Sequence, residues 1–366
     1  MTETGRRPFR WAILGTGAVS RKFVLDLREL KGRAEAHTVV SRDPKNAERF
    51  SKALGVAHVV ADYEAAAQAD VDALYIATPP ALHEAHALMG IAAGKAILIE
   101  KPLALDAAGA RRIADAADAA SVFCMEAMWT RFQPLLSKIH TQIEAGALGE
   151  LRGFEARFMT ANKPDPDTGL FDAERGGGAL MHRGVYPLSI AHFLLGPVAR
   201  MRAMAEIGAT GVDEDSALVL HHKNGAVSSL RASLRANGPE GAVVYGTKGT
   251  LHIHGPIWRP TGATLATTYP ASATTGGARK FEAFRESGLG LRLSRGLGRL
   301  KTAAGRGQVR VVAPFAGNGY HYEAEAVMDA LADGRTLDPR MPMSESVEIM
   351  ALIDTARAGW STGEGL

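Results

Sequence analysis

The chain has 366 residues, enough at roughly 150 residues per domain for two domains and an elaboration. With 46% hydrophobic and 22% charged residues it is not a disordered, collagen-like or coiled-coil sequence. A net charge of +3 is too small for a general nucleic-acid binder, and a lone Cys124 excludes a disulfide framework and a cysteine-built zinc site.

The chain opens with Arg6-Arg7, followed by only a short apolar stretch, Trp11 to Leu14. That is too short for a signal peptide, so the pair reads as a solvated leader. No apolar run reaches the roughly 18 residues of a membrane span. With one thiol as well, the expected location is the cytoplasm.

Up to about Glu126, short apolar runs alternate with helical patterns. The runs are Trp11–Leu14, Ala36–Val40, Val56–Val60, Ala73–Ala77, Ala96–Ile99 and Ser121–Met125. They are nearly continuous rather than alternating, as in strands covered on both faces. Val19, Phe23, Leu27 and Leu30 share one helix face. Asp43 suits the cap of a helix starting at Pro44, and Asp106 the cap of one running to Ala120. The succession predicts an α/β unit: a Rossmann-type, doubly wound parallel sheet over residues 1–126.

Beyond it the pattern changes. Leu151–Thr160 alternates, with Phe154, Ala156 and Phe158 on one side and Glu155 and Arg157 on the other. Further strands are expected at Arg200–Ile207, Ser216–His222, Ala226–Leu234, Ala242–Tyr245 and Thr250–His254. Helices are expected at Gly178–Leu195, Tyr320–Asp333 and Ser344–Trp360. Residues 127–366 thus read as an α+β substrate domain with a large, open, mostly antiparallel sheet. Within it, Arg279–Arg310 carries nine basic and two acidic residues, net +7, which leaves the rest at −4. Its leucines and arginines could form a surface helix, but four glycines disfavour one, and a solvated basic loop is the expectation.

Two segments carry chemistry. Gly15-Thr16-Gly17-Ala18-Val19-Ser20 lies between the first strand and the first helix. Such a turn lets a pyrophosphate approach the backbone at a helix N-terminus. After the second strand comes Val40-Ser41-Arg42-Asp43 rather than a strand-end acid. A hydroxyl and a guanidinium suit a 2′-phosphate, so NADP is expected over NAD. The second segment is Glu100-Lys101-Pro102 at the end of the fifth strand, which aims Lys101 into the crevice.

These residues, with Ala77-Thr78-Pro79, His83, Gly176-Gly177-Gly178, Gly184-Val185-Tyr186-Pro187 and Gly246-Thr247-Lys248-Gly249, resemble the glucose–fructose oxidoreductase / inositol dehydrogenase (Gfo/Idh/MocA) family. Glu126-Ala127-Met128-Trp129-Thr130-Arg131-Phe132 is similar to its branch containing trans-dihydrodiol dehydrogenase and NADP-dependent D-xylose dehydrogenase. The resemblance implies hydride transfer between a nicotinamide and a secondary alcohol or ketone of a sugar, cyclic polyol or diol. It implies Lys101 as the residue polarising the reacting oxygen and Tyr186 as general acid/base. Thr78, Pro79, His83, Glu100, Trp129 and Arg131 would lie beside the cofactor. It further implies a Lys101-Pro102 peptide that is often cis, and a dimer formed through the C-terminal sheet.

One position departs from the pattern. Four residues before Tyr186 the family usually has an acid, and here stands His182. At helical spacing His182 should share the face of Tyr186. The change implies altered substrate choice, weaker catalysis or none. Phe158, Asn162 and Arg183 are the candidate substrate residues. A small-molecule substrate is expected, with no metal, nucleic-acid or membrane partner. His221 and His222 point to opposite strand faces and cannot share an ion. Two readings compete with the sugar or diol oxidoreductase: a nucleotide-sugar ketoreductase, and a sensor that binds dinucleotide without turnover.

Overall fold

The computed structural model describes residues 7–267, 287 and 308–362. The first sheet is built from β1 (Phe9–Leu14), β2 (Ala34–Val40), β3 (His58–Val59), β4 (Ala73–Ile76), β5 (Ala96–Glu100) and β6 (Cys124–Ala127). All its strands are parallel, in the order β3-β2-β1-β4-β5-β6. The helices between them are α1 (Ala18–Asp26), α2 (Pro44–Leu54), α3 (Tyr63–Gln68), α4 (His83–Ala92) and α5 (Ala107–Ala120). Trp11, Ile13, Leu74, Tyr75, Ile97 and Leu98 are fully buried, as strands covered on both faces require. Phe23 stacks on Tyr75 at 3.7 Å and meets the edge of Trp11, fastening α1 to the sheet. The caps fall where expected: Asp43 accepts from Lys45 N at 3.0 Å and Asp106 from Gly109 N at 2.7 Å.

Strand order reverses between β1 and β4. A crevice therefore opens beyond their carboxyl ends, where Gly15 and Ala77-Thr78-Pro79 lie.

After α6 (Pro134–Glu144) the chain builds a second sheet. Its strands are β7 (Leu151–Met159), β8 (Val198–Ile207), β9 (Asp213–His222), β10 (Val227–Ser233), β11 (Gly241–Gly246), β12 (Gly249–His254), β13 (Gly262–Thr267) and β14 (Gln308–Val312). The order is β14-β13-β12-β11-β7-β10-β9-β8, antiparallel except where β7 meets β10. Phe154, Ala156 and Phe158 are buried beneath α7 (Val185–Leu195), while Glu155 and Arg157 face out. The far face stays open, with Met204, Val219 and Val309 more than half exposed.

The chain then returns to the first sheet. Helices α8 (His321–Ala332) and α9 (Met343–Thr362) touch both halves. Asp26 of α1 accepts from the backbone N–H groups of Asn318 and Tyr320, at 2.9 and 2.8 Å. Asp354 of α9 accepts Ala107 N at 2.7 Å, adding an acceptor at the start of α5.

Three expectations are adjusted. The 178–195 helix begins with a π turn, Leu180–Gly184, before regular α7. Strands β13 and β14 extend the second sheet beyond the expected set. Arg7 is no free leader: its guanidinium grips Asp72 at 2.7 and 2.8 Å. The basic segment, apart from Ser287 and the start of β14, lies outside the described residues. No described helix is long and apolar enough to cross a membrane.

Candidate active site

At the end of β1, Gly15 has φ +105°, and a Cβ there would lie 2.6 Å from the Ala77 carbonyl oxygen. Only glycine fits that approach. Gly17 is the N-cap of α1 and brings no side chain to its free N–H groups. A Cβ at Gly17 would meet nothing within 4 Å, so the helix start opens onto free space. Ala18 and Val19 form its first turn, with no acidic residue. Unsatisfied donors, a positive dipole end and open space fit a pyrophosphate. Ser20, where a third glycine would stand, is fully buried.

Across the crevice, Thr16 Oγ1 donates to Ser41 Oγ at 3.3 Å. Arg42 is exposed beside them, and Asp43 is committed to the cap of α2. A hydroxyl and an exposed guanidinium thus mark the end of β2, and the adjoining Asp43 is held by the helix cap.

The ends of β4 and β5 are tied together by one imidazole. His83 Nδ1 lies 2.9 Å from the Pro102 carbonyl and Nε2 2.8 Å from the Thr78 carbonyl. Burial pushes its pKa down to about 4. Neutral, the ring has one N–H to donate, so it hydrogen-bonds one of these carbonyls and packs against the other, and His86 Nδ1 meets Thr78 Oγ1 at 3.0 Å. Pro79 follows in the same loop and precedes a short 3-10 turn. Glu100 also points inward: it accepts from Tyr75 Oη at 2.6 Å and from Lys101 N at 3.2 Å, and burial raises its pKa.

Lys101 leaves β5 through a cis peptide to Pro102. Its ammonium donates to the His182 carbonyl at 3.3 Å and lies 4.9 Å over the Tyr186 ring. Burial pulls the ammonium down to about 8 against the pull of Glu100, and Arg183 adds to the lowering. Lys101 is thus a cation near neutrality that can lose its proton within the working range.

Tyr186 is set by its neighbours. Trp129 Nε1 donates to its hydroxyl at 3.1 Å, and Trp129 stacks on Tyr320 at 4.4 Å. Phe158 lies 5.5 Å from the Tyr186 ring and stacks on Trp258 at 4.4 Å. Arg183 lies 4.7 Å over Phe158, and its Nη2 reaches Asn162 Oδ1 at 3.3 Å. Burial holds the phenol well above its ordinary pKa, so Tyr186 is neutral and carries its proton.

The structure brings Lys101, Tyr186, Phe158, Asn162 and Arg183 together. The His182 ring lies where the charges of Lys101 and Arg183 act on it, but it supplies no acid's counter-charge. The π turn offers the His182 carbonyl to Lys101, while the ring's Nε2 is buried without a partner. Burial, with Lys101 and Arg183 nearby, drives its pKa to about 3. Position 182 therefore carries no charge at neutral pH.

Arg131 is also placed elsewhere. It is fully buried, with Nε on Ser189 Oγ at 2.8 Å, Nη1 on Arg340 O at 2.8 Å and Glu345 at 2.6 Å, and Nη2 on Ser189 O at 2.9 Å. Every guanidinium nitrogen is taken by the scaffold. Cys124 is buried, its thiol pushed up to about 12. His222 is fixed between Gly196 O and Ser228 Oγ, and no metal-binding cluster exists among the described residues. Trp258 was not anticipated, since it sits in a connection with no periodic pattern around it; Tyr320, expected only as the start of a helix, is the N-cap of α8.

Residues 9–128 match the family model described as "Oxidoreductase family, NAD-binding Rossmann fold", and residues 136–252 match the GFO/IDH/MocA C-terminal domain. The chain is 32% identical to the trans-1,2-dihydrobenzene-1,2-diol dehydrogenase of Mus musculus over 256 residues, 69% of this chain and 76% of that one. It is 28% identical to the enzyme of that name from Xenopus laevis over 95% of this chain and 96% of that one. Two solved structures share the fold over 97% of this chain and 98% of theirs. One is a 3-ketoreductase from Actinomadura kijaniata in complex with NADP and TDP-benzene, TM-score 0.76 at 22% identity. The other is levoglucosan dehydrogenase in complex with NADH and levoglucosan, TM-score 0.79 at 18% identity.

Proposed function

Since the chain belongs to the Gfo/Idh/MocA family of NAD(P)-binding oxidoreductases, we propose that it interconverts a secondary alcohol and a ketone on a sugar, cyclic polyol or diol with NADP(H). The observation that carries this reading is Lys101 standing over Tyr186 at the carboxyl end of β5. When bound, the dinucleotide supplies or accepts the hydride. The open start of α1 would hold its pyrophosphate, and Ser41 and Arg42 its 2′-phosphate.

The rest is done by the chain's own side chains. Lys101 binds the reacting oxygen and stabilises negative charge on it. Tyr186 gives its phenolic proton to that oxygen during reduction and takes it back during oxidation. A neighbouring ammonium lowers the cost of the tyrosinate left behind. His83 acts through the Thr78 and Pro102 carbonyls as a positioning residue. Glu100 orients the start of the Lys101 segment, and Arg131 is assigned to the scaffold.

Residues 1–126 would form the dinucleotide domain and the remainder the substrate domain, with α8 and α9 spanning both. The apolar residues on the open face of the second sheet support a homo-oligomer. The single buried thiol supports a reducing, cytoplasmic setting.

The test is an NADPH fluorescence titration followed by a turnover screen with sugars, polyols and diols. Saturable NADPH binding with turnover supports the reading. Binding without turnover of any of them favours the sensor, and no binding overturns both.

A further inference from the structure

Two cations, Lys101 and Arg183, stand beside Tyr186. Arg183 is half-buried, its Nε is buried without a hydrogen-bond partner, and Nη2 has only the 3.3 Å bond to Asn162. Lys101 is half-buried as well, held by a carbonyl rather than a carboxylate. Among the described residues neither cation has an ion-pair partner. None of the nearby acids forms an ion pair with them. Glu100 is turned to Tyr75 and the Lys101 backbone. Glu126 and Glu323 are fully buried with no hydrogen-bond partner on their carboxyl oxygens, and burial pushes the first up to about 7 and the second well above its ordinary value, toward the neutral form. Glu240, which faces Arg183, accepts from Thr160 Oγ1 at 3.2 Å. His182, where an acid would have supplied a counter-charge, is neutral.

Partly desolvated cations without partners are costly, and a ligand anion relieves that cost. A guanidinium presents a planar fork that matches a carboxylate with two parallel bonds. Here the guanidinium rests 4.7 Å over the Phe158 ring, which helps position it.

We propose that the substrate is of the sugar-acid class, carrying a carboxylate close to its reacting carbinol carbon, and that Arg183 grips this carboxylate while Lys101 takes the reacting oxygen. Asn162 steadies the guanidinium, and the neutral His182 leaves room for the anion that an acid there would repel. This rests on the oxidoreductase reading above and names the substrate class of the same site.

The test uses the full-length protein saturated with NADP. D-xylose, D-glucose and D-glucuronate share a pyranose ring and differ at C5 by hydrogen, hydroxymethyl and carboxylate. Calorimetric titration should show D-glucuronate binding at least tenfold tighter than the other two. Arg183→Gln should erase that preference and Arg183→Lys retain part of it, both with NADPH affinity intact. Equal affinity for all three sugars, no binding by any, tighter binding of glucose 6-phosphate, or a preference that survives Arg183→Gln overturns the proposal. Failure of the wild type to bind NADPH at all would instead remove the oxidoreductase reading beneath it.

Discussion

Trp129 Nε1 donates a hydrogen bond to the Tyr186 hydroxyl oxygen at 3.1 Å. An indole nitrogen can only donate, so the direction of this bond is fixed. The Tyr186 oxygen accepts there, which leaves its own proton for another acceptor. The same bond stabilises the oxygen once that proton has gone. Trp129→Phe should therefore lower kcat about tenfold, the worth of one hydrogen bond to a developing charge. Tyr186→Phe should lower it by roughly 10²–10⁴, the range for a general acid/base. Neither should move the NADPH dissociation constant. A Trp129→Phe enzyme with wild-type kcat would show that Tyr186 does not depend on this bond.

Arg42 gives a separate test at the other end of the crevice. It is exposed, beside the Thr16–Ser41 hydroxyl pair, with Asp43 locked into a cap. Arg42→Ala should weaken NADPH binding by about 10–100-fold, the worth of charge-assisted bonds to a phosphate, and leave NADH unchanged. Parallel fluorescence titrations with the two dinucleotides measure this. An equal loss for both would move Arg42 away from the 2′-phosphate.

Lys101 ties chemistry to stability through its proton. Its pKa is about 8 in the fold against 10.5 for a free lysine. Between those values the unfolded chain binds more protons, so this residue makes the ligand-free fold more stable as pH rises through the window. Below it, a partly buried charge is being held at a cost. Lys101→Met should therefore abolish turnover yet stabilise the ligand-free protein at pH 7 by about 1–3 kcal/mol. The advantage should shrink as pH approaches 10. For the wild type, kcat/KM for ketone reduction should fall above about pH 8 as the ammonium is lost. Urea unfolding at the two pH values and a pH–rate profile check both parts. A Met variant less stable than wild type at pH 7 would refute the charge argument.

The nucleotide half was legible because its strands are buried on both faces and its punctuation is chemical: Gly15 and Gly17 at the turn, Asp43 and Asp106 at the caps. The second half was legible only where alternation was clean, as in Phe154, Ala156 and Phe158. Gly262–Thr267 and Gln308–Val312 pair with each other across some forty residues, and each buries a single apolar side chain, Ala263 and Val311, too little to mark it as a strand. The π turn was hidden for a different reason. A π turn and an α turn use the same residue types, so the winding of Leu180–Gly184 leaves no mark on the sequence pattern. Trp258 reaches the site from a connection, where sequence periodicity has no hold, and Tyr320 from the N-cap of α8, legible as a helix start but not as a ring stacked on Trp129.

Arg131 separates a motif match from a role. It belongs to a segment that resembles a cofactor-side motif, yet its guanidinium is enclosed by Ser189, Arg340 and Glu345. Burial alone would raise the Glu345 carboxyl, but His192 and Arg131 hold it down to about 2, below the 4.5 of a free glutamate. Its folded-state pKa is depressed, so the stability it adds is present above about pH 4.5 and is lost as pH falls toward 2. Arg131→Met leaves Glu345 and His192 without their central cation. It should cost about 3–5 kcal/mol at pH 7, as removing one partner of a buried pair does. The gap to wild type should narrow as pH falls from 4.5 toward 2, where the unfolded chain takes up a proton on Glu345 that the folded wild type does not. Urea unfolding of both proteins at pH 7 and pH 3 measures this, and NADPH affinity of the folded variant should match wild type. A variant as stable as wild type but weakened in NADPH binding would return Arg131 to the cofactor site.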